Sequence, residues 1–64
     1  MLSQIDIHRA AHIMLHEFGD NAEFAAAGCA NRMLERANSE AVLSWFEICR
    51  TITVLRQAPT TLPN

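Results

Sequence analysis

The chain has 64 residues, half of them hydrophobic, and five arginines against seven acids for a formal charge of −2. That length suffices for one domain, which buries only about 60 % of the surface its unfolded chain exposes. The weak, mixed charge offers no basic field for a phosphate backbone, and no apolar run approaches the roughly 18 residues that cross a membrane, so neither nucleic acid nor a membrane is an expected partner.

Alanine supplies much of the apolar half, glycine and proline are scarce, and tyrosine and lysine are absent. This composition favours helix over strand. The expected fold is all-α, a three-helix up-down-up domain with helices at about 4–18, 21–37 and 40–57. A single helical domain over 1–57 is then followed by a flexible tail over 58–64.

Ile7, Ala10, Ala11, Met14, Leu15 and Phe18 recur at the spacing of one helical stripe. Ser3 is placed to cap the start, and Gly19 supplies a left-handed stop without a Cβ penalty. Asp20 is the expected cap of the second helix, with Glu23 three residues on completing a variant of the capping box. The second stripe is Ala22, Ala26, Cys29, Ala30, Met33 and Ala37, with Leu34 at its margin, so its contact surface is mostly small. Gly28 projects away from it.

Asn38 or Ser39 restarts the chain, and the third stripe is Ala41, Val42, Trp45, Ile48, Cys49, Ile52 and Leu55. Pro59 and Pro63 forbid a continuation. Connections of only a few residues favour antiparallel neighbours. Trp45, the lone tryptophan, is the residue expected to carry the most stability, with about 3–5 kcal/mol lost on truncation to alanine.

Once these stripes are assigned, Leu43, Phe46 and Val54 are left on a second side of helix three. Ile5 and Ile13 fall on the far side of helix one, and Phe24 stands opposite the stripe of helix two. Single exposed apolar residues are ordinary. A core below about 70–80 residues, however, seldom supplies more than about 3–5 kcal/mol without a disulfide, a metal or a partner. The six residues are therefore the candidate interaction surface, with a helical homodimer built on helix three or a complex with another protein as the expected assembly.

His8, His12 and His16 stand one turn apart and are the only polar pattern that invites a site. Neighbours at i and i+4 can share a metal, and protonating the row would add repulsion within helix one. A metal-binding or pH-responsive histidine stripe is thus the alternative function. The row lacks both the remaining ligands and the glutamate of an HExxH zinc motif, and it also fits the solvated flank of an amphipathic helix, so no metal or other cofactor is expected.

Catalysis is not expected either. Cys29 and Cys49 lie on helix stripes with no histidine nearby in sequence, which reads as buried thiols rather than a nucleophile or a disulfide. A glycine-rich phosphate loop, a CxxC pair and an acidic pair that reads as glycosidase or metal-bridging chemistry are all missing. Helix two and helix three superficially suggest a helix-turn-helix, but Trp45, Phe46 and Ile48 occupy the half of the second helix where base-reading side chains belong. The N-terminal Met1 to Asp6 segment lacks the basic start and apolar stretch of a secretory signal, so the expected location is the cytoplasm.

One resemblance spans nearly everything but the tail. Asp6-Ile7, Arg9-Ala10-Ala11, Gly19 with Asp20-Asn21 and Ala22, then Ala26-Ala27, Ala30 and Met33-Leu34 carry it. Trp45, Ile48, Ile52 and Leu55 extend it to about Gln57. In these the chain resembles a family of short uncharacterised helical proteins of alphaproteobacteria, a domain of unknown function. It departs at Phe18, where a histidine before the glycine is common, and at Asn38, preceded by alanine where the family often has glycine. The histidine row matches no signature of that family, and the resemblance implies an all-helical fold but no activity, ligand or catalytic residue.

Overall fold

A computed structural model describes residues 2–57; the tail expected over 58–64 lies outside them. Among the described residues the secondary structure is entirely helical: α1 (Gln4–Phe18), a 3-10 turn (Gly19–Asn21), α2 (Ala22–Glu35) and α3 (Ser39–Gln57). The expected boundaries hold to within two residues.

Helix α1 starts where Ser3, in extended backbone, accepts the Asp6 N–H on its hydroxyl at 3.2 Å. It stops at Gly19, whose φ of 54° lies where only glycine is unstrained and whose N–H donates to the Leu15 carbonyl. The start of α2 corrects the expectation. Asp20 belongs to the 3-10 turn, Asn21 holds the cap position, and no side chain caps the helix. The extra turn moves Asp20 too far from the first amides of α2, and Glu23 engages another helix instead of a capping box.

The end of α2 shows what its sequence costs. Ala37 N–H donates to the Leu34 carbonyl and Asn38 N–H to that of Met33, both at 2.9 Å, the paired bonds of a Schellman close. That motif needs a left-handed residue, and Ala37 sits there with φ 57°. Ala37 is therefore outside α2, not part of its buried stripe. Ala37→Gly should relieve a left-handed penalty of about 1–2 kcal/mol and give back part of it through greater freedom of the unfolded chain. A net gain of about 0.5–1 kcal/mol in a urea titration is the expected outcome; a lower midpoint would refute the strain. Asn38 then opens α3 by accepting the Ala41 N–H on Oδ1 at 3.1 Å. Gly28 has no such constraint, since a Cβ built there meets nothing within 4 Å.

Glu23 of α2 reaches Arg56 of α3, so these helices run antiparallel, and Gln4 and His8 line a cleft with Glu47, Arg50, Thr51 and Val54, so α1 runs parallel to α3. The result is the up-down-up arrangement. Its core comprises Ile7, Ala11, Met14, Ala22, Ala26, Ala30, Val42, Ile48 and Ile52, with Trp45, Cys49, Ala10, Ala25, Leu15 and Leu55 packed half-buried against it. Four of these nine buried residues are alanine. An alanine methyl contributes about 0.8 kcal/mol on burial where a leucine or isoleucine contributes about 1.5–3, so the core is close-packed but energetically thin. Trp45 is only half-buried, and Ile48 and Ile52 are the largest side chains wholly enclosed. Phe18, placed on the α1 stripe by its spacing, is exposed at the helix end, as is Leu34 on α2.

Candidate functional site

All six residues left over by the stripes stand in solvent, from 55 % exposure at Ile13 to 83 % at Phe24. They do not form one patch. Leu43 and Phe46 line an open cleft of about 480 Å³ between the start of α1 and the outer side of α3, shared with Leu2, Ile7, Glu47 and Arg50. Val54 continues that crevice one turn further along α3, beside Gln4, His8 and Thr51. Phe24 stands apart with Phe18, Met14 and Gly28 in a separate groove between α1 and α2. Ile5 and Ile13 line neither the cleft nor that groove.

The grouping follows from helix geometry. Positions 43, 46, 47, 50 and 54 share one side of α3, and the parallel packing of α1 sets Gln4, Ile7 and His8 along its edge. Leu2, just before the Ser3 cap, closes the end of the cleft. Its place there was not readable from spacing, because it precedes the helix.

The histidines of the row are all exposed. The His8 and His12 rings stack obliquely, centroids 5.7 Å apart, while His16 turns to Glu17, Nδ1 to Oε2 at 3.6 Å. Among the described residues no three His, Cys, Asp or Glu side chains converge where they could hold a metal ion. The thiols are unlinked. Arg32 Nη2 donates to Cys29 Sγ at 3.2 Å, and Cys49 Sγ–H donates to the Glu23 carbonyl at 3.7 Å. Burial, and secondarily the Glu23 charge, raise the Cys49 thiol above its ordinary value, the opposite of an activated nucleophile.

The polar side chains that do converge are ones the sequence reading missed. Arg56 donates through Nε and Nη2 to the Glu23 carboxylate, the shortest bond being 2.7 Å, and through Nη2 to the Gly19 carbonyl at 2.9 Å. The Thr53 hydroxyl lies 3.1 Å from the same carboxylate. Arg56 thus ties the end of α3 to the turn joining α1 and α2. Its hydrogen bond holds the Glu23 carboxyl below its ordinary value of 4.5, with Thr53 helping and desolvation opposing. A depressed folded-state value adds stability that is present above the ordinary carboxylate range and is lost as pH falls through the lower folded-state value. The melting temperature of the wild type should therefore drop more steeply below pH 4.5 than that of Glu23→Gln; parallel curves would show that the clamp is not what senses acid.

Fold and surface together define a small all-α domain whose outer apolar side chains lack a partner among the described residues. No family model, curated protein or solved structure matches this chain.

Proposed function

We propose that the chain is a small non-catalytic interaction or regulatory module that works by binding protein, a second copy of itself or another chain, through the outer face of α3. The observation that carries this reading is the cleft along α1 and α3, where Leu43, Phe46 and Val54 are each more than half exposed while much of the buried core is alanine. An interface there would add the apolar burial that the monomer's core is short of.

Support for the non-catalytic part is the assignment of the reactive groups, since each thiol already contacts a backbone carbonyl or an arginine rather than a base. A cytoplasmic location belongs to the same proposal, in keeping with two unlinked thiols and with the finding that no described helix is long and apolar enough to cross a membrane. Kinship with the short alphaproteobacterial helical proteins is proposed too, on the residue pattern from Asp6 to Leu55 alone.

The test is capture by a tagged copy from the native host. Wild type should retain a protein partner, itself or another, and Phe46→Glu should lose it at unchanged stability, within about 0.5 kcal/mol for an exposed position. Identical capture by wild type and variant would overturn the reading.

A further inference from the structure

The order of side chains along the outer face of α3 is palindromic. Leu43, Glu47, Arg50 and Val54 follow one another at steps of four, three and four, which on a helix of 100° per residue keeps them within an arc of about 60° and spreads them over about 16 Å. All four are exposed. Among the described residues neither the Glu47 carboxylate nor the Arg50 guanidinium has an ion-pair partner. The stripe is apolar at both ends and carries one acid and one base at its centre.

From this we infer that α3 pairs with α3 of a second copy, antiparallel, about a two-fold axis level with the Ile48–Cys49 peptide. The inference rests on the reading of this face as an interaction surface. A two-fold contact must be self-complementary: whatever one residue meets, its counterpart meets in return. In this register Leu43 faces Val54 of the partner subunit, and Glu47 faces the partner's Arg50, so apolar meets apolar twice and charge meets opposite charge twice. A parallel pairing would instead set Glu47 on the partner's Glu47 and Arg50 on the partner's Arg50. The steps of four, three and four are those of a heptad seam, in which two helices mesh side chain into hole. The axis falls at the middle of Ser39–Gln57, so the two helices overlap along their whole length. Phe46 and Leu2, in the same cleft, widen the apolar shoulder of the seam.

Charge reversal tests this register. Glu47→Arg puts arginine against arginine across the axis, and Arg50→Glu puts glutamate against glutamate, so each variant alone should dimerise at least about tenfold more weakly than wild type. Mixed in equal amounts, the two should recover a dimer, because every central contact again joins opposite charges. The double variant should recover it alone. Sedimentation velocity from about 1 µM to about 1 mM reads these four samples and the wild type, with circular dichroism confirming that they remain helical. Single variants that dimerise like wild type, or a mixture that stays monomeric, would overturn the antiparallel register while leaving a dimer standing. A wild type that stays monomeric throughout would overturn self-association, and the capture experiment then decides separately whether the face binds another protein.

Discussion

Ile52→Ala is expected to be the most damaging single truncation in the described chain. Ile52 is wholly enclosed, and it packs in one cluster with Ile7, Ala11, Met14, Ala22, Ala26 and Ile48, so all three helices meet around it. Removing three carbons there loses their transfer energy and leaves a cavity. Alanine neighbours have no long side chains to swing into the gap, so little relaxation offsets the loss. A cost of about 3 kcal/mol in a domain of about 3–5 kcal/mol removes most of its stability. For a domain this small that corresponds to a fall of roughly 12–24 °C in melting temperature. Ile52→Val, which deletes one methyl, should cost about 0.5–1.5 kcal/mol. Thermal denaturation followed by circular dichroism at one protein concentration checks both; equal, small shifts would show that the site collapses around its cavity.

The second large effect has the opposite sign of volume. Ala26 is fully enclosed, whereas Ala27, the next residue, is exposed. Leucine at 26 forces extra carbon into the space where α2 approaches its neighbours, which costs about 1–3 kcal/mol in a packed core. Leucine at 27 meets only solvent and should change stability by no more than about 0.5 kcal/mol. The two substitutions have nearly the same composition and helix propensity, so a difference between their urea midpoints isolates packing. If both are neutral, the alanine face of α2 does not lie close against the other helices.

Those adjacent alanines also show how much of the fold was legible in advance. The period of 3.6 distinguishes 26 from 27 without any knowledge of neighbours, and through the three stripes it selected all nine of the buried residues. Caps worked where a side chain or a glycine acts locally, as at Ser3, Gly19 and Asn38. They failed at Asp20, because whether the chain inserts a 3-10 turn depends on how α1 and α2 must be angled to pack, and that is not a local property. Phe18 failed for a related reason: a stripe predicts direction, but at a helix end there was no neighbouring element left to cover the ring.

For the candidate site, the exposed state of Leu43, Phe46, Val54, Ile5, Ile13 and Phe24 followed from subtraction, each being apolar and off its stripe. Which of them belong together did not. Leu43 and Phe46 share a cleft with Leu2, and Phe24 lies elsewhere, because grouping depends on which helices are adjacent and in which direction they run.

By itself the sequence determined helix content, the buried face of each helix, most of its ends and the surplus of apolar side chains, since all of these follow from interactions within about one turn of the chain. Only the tertiary structure decided that Glu23 and Arg56, 33 residues apart, clamp the bundle at the α1–α2 turn, that Trp45 lies at the core's edge with Ile48 and Ile52 at its centre, and that one strip of α3 stays open beside α1. Such contacts depend on the relative register and direction of helices. Here alanine-lined interfaces set that register through close backbone approach, which a one-dimensional pattern of small residues permits but does not specify.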